Sequence, residues 1–167
     1  MRSSSVQPGL TMSRRTLLAG LMASPMAFSA KAASATGALP TMVVTKDPNC
    51  GCCTGWVDHV RAEGFQVDVV ETPEVNRLKA RLGVPQALAS CHTAEIGGYV
   101  IEGHVPAGAI KRLLAERPQA KGLAVPGMPA GSPGMEVEGM EPDTYEVVLF
   151  GPSGQRTYAR FTGGREV

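Results

Sequence analysis

The spacing of apolar positions predicts a strand, a helix and a second strand in the first part of the folded chain. Residues 41–45 (TMVVT) form a β-branched, apolar run that is typical of a buried strand. Apolar residues at helical spacing follow between 56 and 62, and Gly64 is a typical residue just beyond a helix C-terminus. Alternation of apolar and polar residues then predicts a strand at 65–70.

The next segment predicts a helix, a β-hairpin and another helix. A second helix is expected at 75–82, where apolar residues recur on one face. Gly97-Gly98 separates apolar segments at 90–96 and 99–102, as the turn of a hairpin does. A third helix is expected at 106–117, because proline favours the first turn of a helix. The apolar face of the second helix consists of Val75, Leu78 and Leu82.

This order, β-α-β-α-β-β-α, predicts an α/β protein with a thioredoxin-like fold. A Met/Gly/Pro-rich loop is expected at 122–142, and a loop of this length within a compact domain is commonly functional. Apolar runs at 145–150 and 157–161 flank a Gly-Pro-Ser-Gly turn and predict a C-terminal β-hairpin.

The first 35 residues predict an export signal. Arg14-Arg15 precede an apolar stretch at 17–30, and small residues that fit a signal-peptidase site follow it. The paired arginines favour twin-arginine export, with a general secretory signal as the alternative. We therefore expect a periplasmic protein whose thioredoxin-like domain spans residues 36–167.

Charge and composition narrow the function further. The chain of 167 residues carries 16 basic and 15 acidic side chains. Without residues 1–35, which hold four bases and no acids, 12 basic and 15 acidic side chains remain. This balance argues against nucleic acid as a partner, and the mature chain has no apolar run long enough to span a membrane. Four cysteines and eight methionines instead point to soft metal ligands.

Three cysteines lie together where the first strand meets the first helix. Cys50 and Cys53 have the C-x-x-C spacing of a thiol–disulfide redox pair, at a predicted helix N-terminus that favours thiolates. Cys52 adds a third thiol, which is unusual for a dithiol enzyme because it invites disulfide scrambling. Three thiols within four residues suit sulfurs that bridge more than one soft ion, and thiolates select Cu(I).

The remaining candidate ligands lie further along the chain. Cys91 would reach the first cysteines if the third strand starts near Ser90, whereas a regular strand would turn His92 to the opposite face. His104 could approach from the same end. The methionines of the long loop offer movable thioethers; they are Met128, Met135 and Met140.

Other interpretations of these residues remain open. A structural disulfide from Cys91 to Cys50 or Cys53 would leave no metal cluster. Zinc in a Cys₃His or Cys₄ site is less favoured, because adjacent cysteines suit one tetrahedral ion poorly. His59 is expected to be a solvated surface residue and Trp56 to pack in the core. The loop methionines could equally fill gaps in the packing.

Several motifs of this sequence resemble one family, the CopG-like periplasmic copper-resistance proteins (domain-of-unknown-function family 411). The matching segments are Asp47–Cys53 with Trp56 and His59, Ser90–Thr93, Gly98–Pro106, Gly122–Pro129 and Gly131–Glu136. The resemblance implies a thioredoxin-like domain that binds copper through cysteines as a sulfur-bridged Cu(I) cluster. It implies ligands at Cys50, Cys52, Cys53 and Cys91, with His104, Met128 and Met135 as further candidates.

The resemblance also implies a role in copper tolerance, with copper ions and other periplasmic copper-handling proteins as partners. It does not decide between sequestration, transfer and Cu(I)/Cu(II) redox chemistry. Whether the protein is an enzyme stays open, and a thioredoxin-like thiol–disulfide oxidoreductase that uses Cys50 and Cys53 is the alternative.

Overall fold

The computed structural model describes residues 38–167. The predicted export signal at 1–35 lies outside the described residues. Eight strands in that part of the chain form one mixed sheet in the order β2-β1-β3-β4-β5-β6-β7-β8, accompanied by three α-helices. The strands are β1 (Met42–Lys46), β2 (Val67–Glu71), β3 (Thr93–Ile96), β4 (Tyr99–Glu102), β5 (Gly122–Ala124), β6 (Thr144–Gly151), β7 (Gly154–Thr162) and β8 (Arg165–Glu166). The helices are α1 (Gly51–Ala62), α2 (Val75–Arg81) and α3 (Ala107–Glu116), and a short 3₁₀ helix covers Gln86–Leu88.

Pairing within the sheet brings the ends of distant strands together. β1 is parallel to β2 and antiparallel to β3, and β3 forms the predicted hairpin with β4. β4 is parallel to β5, and the pairs β5–β6, β6–β7 and β7–β8 are antiparallel. The C-terminal end of β1 therefore lies beside the start of β3 and the end of β4. The residues that follow β1, precede β3 and follow β4 meet at this edge.

Both faces of the sheet are covered. The larger core packs α1 and α3 against the sheet and includes Trp56, Ile101, Ile110 and Leu123, all fully buried. A smaller cluster on the opposite face contains Leu88, Val100, Ala124 and Phe150. Neighbouring residues of β4 and β5 thus contribute to opposite faces, as strand alternation requires. The sheet that carries the cysteines at one edge is therefore packed on both faces.

The structure corrects the sequence-based expectation in two places. Residues Gly122–Ala124 form β5, so the long loop begins at Val125 and not at 122. The sequence hid this strand because Gly122 has low β propensity; a side chain there would collide with the backbone of Val100. On α2, the buried positions are Val75 and Lys79 rather than an apolar face.

Among residues 38–167, no helix has the length and hydropathy needed to cross a bilayer.

Candidate metal centre

The turn between β1 and α1 presents the first three cysteines at the start of a helix. Asp47 shapes this turn, since its Oδ1 accepts the Asn49 amide at 2.8 Å and its carbonyl accepts the Cys50 amide at 3.1 Å. Cys50 is the N-cap of α1, so Cys52 and Cys53 lie in the first helical turn. A helix N-terminus, with its free N–H groups and the positive end of the helix dipole, is a favourable position for anionic ligands such as thiolates.

All four cysteines converge at this point. Cys50 and Cys53 form a disulfide, while Cys52 and Cys91 are free thiols. The Cys52 Sγ lies 3.5 Å from the Cys50 Sγ and 4.0 Å from the Cys91 Sγ. The four sulfurs lie within 4.8 Å of one another, a grouping that could hold a metal ion. The structure places the predicted C-x-x-C pair in a disulfide and shows no bridge from Cys91 to either member.

A buried ionic network fixes the backbone around Cys91. Glu102, at the end of β4, accepts the Ser90 amide at 2.7 Å and the Lys79 ammonium at 2.6 Å on Oε1. Its Oε2 accepts the Thr93 hydroxyl at 2.7 Å, and Lys79 also donates to Thr93 at 2.8 Å. The sequence gives no sign of this network, because nothing in the local pattern shows that Lys79 turns inward.

His104 approaches the cysteines as predicted. It follows β4, and its Nε2 lies 3.0 Å from the Cys91 Sγ. Its Nδ1 lies 2.8 Å from the Pro133 carbonyl oxygen, so Nδ1 carries the proton and donates. The lone pair of Nε2 therefore faces Cys91. Burial lowers the pKa of His104 and keeps the imidazole neutral, the form that binds metals.

His92 also belongs to the site, which corrects the expectation that it faces away. Its Nδ1 lies 3.3 Å from the Cys91 Sγ. β3 begins only at Thr93, so strand alternation does not govern Cys91 and His92. The His92 ring is fully buried, 4.4 Å from the Trp56 ring and 5.1 Å from the His104 ring between centroids. Burial holds the pKa of His92 well below its ordinary value, so this ring is neutral too.

The Cys91 thiol is protonated in the metal-free protein. Burial, together with the nearby Cys52, raises the pKa of the Cys91 thiol to about 11. Because metals bind the thiolate, any ion that binds Cys91 must displace this proton.

The long loop packs against the first turns of α1. Gly134 has φ +85°, and a Cβ there would lie 2.5 Å from the Trp56 amide nitrogen and 2.6 Å from the Cys52 carbonyl oxygen. Met135 follows directly and is partly buried, whereas the Met128 side chain is 54% exposed. Ser90 donates its hydroxyl to the Gly127 carbonyl oxygen, which fixes the loop beside Met128. Neither methionine is shown to be a ligand, and both remain predictions.

Two further residues of the motif have structural roles. Trp56 packs in the core as expected and donates its indole N–H to the Val105 carbonyl oxygen at 2.9 Å. His59 is half-buried and not fully solvated, because its Nε2 accepts the Ala107 amide at 3.2 Å at the start of α3. Burial lowers the pKa of His59.

The geometry thus defines a class of protein: an α/β domain with a partly buried group of four cysteines and two histidines at one sheet edge. Comparison with known proteins identifies the class more closely. A family model described as "Protein of unknown function, DUF411" matches residues 88–135. No curated protein matches the chain.

Two solved structures resemble this chain, under the titles "Copper resistance protein copG- Form 1" and "Copper resistance protein copG- Form 2". Each is 44% identical, with a TM-score of 0.69. The matches cover 75% and 74% of this chain and 99% and 98% of the solved chains. The chain therefore belongs to the CopG-like DUF411 family, as the motifs predicted.

Proposed function

We propose that this protein handles copper, holding Cu(I) in a cysteine-thiolate site that accommodates more than one ion. The proposed ligands are Cys50, Cys52, Cys53, Cys91 and His104, with Met128 and Met135 closing the site from the loop. The observation that carries the proposal is the set of four cysteine sulfurs within 4.8 Å of one another. The two similar solved structures are copper resistance proteins by name, which supports copper over other soft ions and a role in copper resistance or homeostasis.

The chemistry of the donors fits this cargo. Thiolates and thioethers are soft ligands that favour Cu(I), and imidazole also suits copper. Zinc is the less favoured occupant, because Cys52 and Cys53 are adjacent and one tetrahedral zinc ion normally takes cysteines separated by two to four residues. Each of four close sulfurs can bridge two copper ions, so a small site can hold several ions.

The disulfide sets the number of thiolates. With Cys50 and Cys53 joined, only Cys52 and Cys91 are free. Reduction of the disulfide by a dithiol takes up two electrons and two protons and supplies the other two thiols. The proposed polynuclear site therefore belongs to the reduced protein, and oxidation of Cys50 and Cys53 would lower its capacity for copper.

Fold and location complete the proposal. The order of elements from β1 to α3 supports a thioredoxin-like core, and the pattern of residues 1–35 supports twin-arginine export to the periplasm. There the protein would sequester copper, pass it to other periplasmic copper-handling proteins or cycle it between Cu(I) and Cu(II).

One observation favours a second function, that of a thiol–disulfide oxidoreductase. The Cys50–Cys53 disulfide lies at a helix N-terminus, where such enzymes place their redox pair. Cys52, at 3.5 Å from the Cys50 Sγ, argues against it, because this thiol competes for the same disulfide. The related solved structures are copper resistance proteins by name, which also favours copper binding over thiol–disulfide exchange.

The test is an anaerobic titration of the reduced protein, residues 36–167, with Cu(I) against a chromophoric chelator, with a parallel count of free thiols. We expect four free thiols and more than one Cu(I) per chain. The double variant Cys50→Ser/Cys53→Ser should bind fewer ions. An unchanged stoichiometry in this variant would refute the thiolate site, and turnover with a dithiol substrate in the absence of copper would favour the enzyme.

The methionines are tested in the same titration. Met128→Leu and Met135→Leu should each weaken Cu(I) binding if the thioethers close the site. Met140→Leu is the matched control, because Met140 lies in the same loop and is 56% exposed. If Met128→Leu and Met135→Leu bind Cu(I) as tightly as the control Met140→Leu, these two methionines are not ligands.

A further inference from the structure

Cys91 stands between two buried imidazoles. Its Sγ lies 3.3 Å from the His92 Nδ1 and 3.0 Å from the His104 Nε2. The three ligand atoms lie within 4.8 Å of one another and form a second group, which shares Cys91 with the four sulfurs. Both histidine side chains are fully buried. The sequence motifs drew attention to His104 but gave His92 no role in the site.

Hydrogen bonds fix the tautomer of one ring of this group and leave that of the other open. His104 donates its Nδ1 proton to the Pro133 carbonyl oxygen, which is the arrangement that orients metal-bound histidines. Cys91 has one thiol proton and can donate it to only one of the two ring nitrogens that face it. The His92 Nε2 is buried and has no hydrogen-bond partner among the described residues. With the ring proton on Nε2, the lone pair of the His92 Nδ1 faces the Cys91 Sγ, and this nitrogen is available to a metal ion.

We propose that Cys91 Sγ, His92 Nδ1 and His104 Nε2 form a mononuclear copper subsite with one sulfur and two nitrogen ligands. The identity of the metal rests on the proposed function. Two imidazoles and one thiolate form the trigonal donor set that holds copper in electron-transfer sites. When Cu(I) binds, the thiol proton of Cys91 leaves to solvent and a copper–sulfur bond forms, with no change in oxidation state.

This subsite does not depend on the redox state of the neighbouring cysteines. None of its three ligands belongs to the Cys50–Cys53 disulfide. Oxidation of that pair would remove two thiolates from the cluster and leave the Cys91 subsite intact. The oxidised protein would therefore keep one position for copper.

The test uses the variant Cys50→Ser/Cys52→Ser/Cys53→Ser, in which Cys91 is the remaining cysteine of the four in the chain. We expect it to bind one Cu(I) per chain under anaerobic conditions. X-ray absorption should show both nitrogen and sulfur neighbours of copper. Absence of Cu(I) binding in the folded variant, or coordination of copper by sulfur alone, would overturn the proposal.

Histidine substitutions in this background identify the ligands. His92→Asn keeps an amide N–H near the position of Nδ1 but offers no imidazole lone pair. Loss of a residue that only hydrogen-bonds to a metal ligand costs roughly 10- to 100-fold in metal affinity, so loss of a ligand itself should cost about 100-fold or more. We expect this loss for His92→Asn and for His104→Asn, and an unchanged affinity for the matched control His59→Asn. Unchanged affinity in His92→Asn would show that His92 is only a hydrogen-bond donor and would refute its role as a ligand.

Further controls distinguish loss of folding, failure of the Cys91 subsite and failure of the proposed thiolate cluster. Circular dichroism establishes whether each variant is folded. If the triple variant does not fold, the single variant Cys52→Ser replaces it, because with the Cys50–Cys53 disulfide closed it also leaves Cys91 as the free thiol. Binding of several ions by the reduced wild type but none by either variant would refute the subsite alone. One ion in the variant and no additional ion in the reduced wild type would refute the thiolate cluster alone.

Discussion

The buried ion pair between Lys79 and Glu102, which fixes the backbone around Cys91, can be tested by substitution. We predict that Lys79→Met strongly destabilises the protein, although methionine fills nearly the same volume. The Lys79 Nζ lies 2.6 Å from the Glu102 Oε1, and the two side chains are 6% and 0% exposed. Removal of the ammonium leaves the Glu102 carboxylate buried without its cation.

The expected magnitude follows from this burial. Breaking a buried ion pair on one side costs about 3–5 kcal/mol, out of a total of about 5–15 kcal/mol for an ordinary domain. The double variant Lys79→Met/Glu102→Gln should lose only about 1–2 kcal/mol, because the neutral amide oxygen can still accept the Ser90 amide. The two substitutions should therefore be strongly non-additive.

The assay is urea unfolding of residues 36–167, followed by the fluorescence of Trp56, the one tryptophan of the chain. Arg77→Met is the matched control on the same helix, because Arg77 pairs with Glu74 at 3.1 Å while 82% exposed. It should change the free energy of unfolding little. A similar loss in Lys79→Met and Arg77→Met, or a double variant no more stable than Lys79→Met, would refute the argument.

Two further predictions concern the loop and the thiol. Gly134→Ala should lower the unfolding temperature and weaken copper binding, because the added Cβ would lie 2.5 Å from the Trp56 amide nitrogen. Gly139→Ala is the control, because Gly139 has a similar φ of +79° but open space around it. Equal losses in both variants would contradict a specific contact at Gly134. The metal-free protein with the Cys50–Cys53 disulfide closed should lose stability between about pH 9 and 11. The Cys91 thiol keeps its proton up to a pKa of about 11 in the folded state, against 9.0 ordinarily, so unfolding releases a proton in this window and stability falls as pH rises. Denaturant titrations of wild type and Cys91→Ala across this range measure the difference, and a difference that does not change with pH would refute the assignment.

Local sequence was sufficient for most elements of the fold. The strand at Met42–Lys46, the helix that follows it and the hairpin around Gly97-Gly98 each agree with the predicted pattern, because apolar spacing and glycine turns act within a few residues. β5 escaped prediction because its partners, β4 and β6, provide the pairing that its own residues do not favour.

The residues of the candidate site also divide into those that the sequence identified and those that only the structure revealed. The sequence alone identified the family and the cysteines, since the C-G-C-C motif is contiguous and its chemistry depends on residue type. His92 was misjudged because its direction depends on where β3 begins, which the packing of the sheet decides. Lys79 was missed because a lysine turns inward only when a buried carboxylate from a distant strand is there to meet it.

What the sequence by itself determined is the inventory of soft ligands and the short-range order of strands and helices. Only the tertiary structure decided how closely these ligands approach one another and that His92 joins them. Cys91 is 39 residues from Cys52 and His104 is 13 residues from Cys91, and sheet pairing brings them within 4.0 and 3.0 Å. Such distances arise from long-range pairing and from burial of the Lys79–Glu102 network, and no local pattern in the chain encodes them.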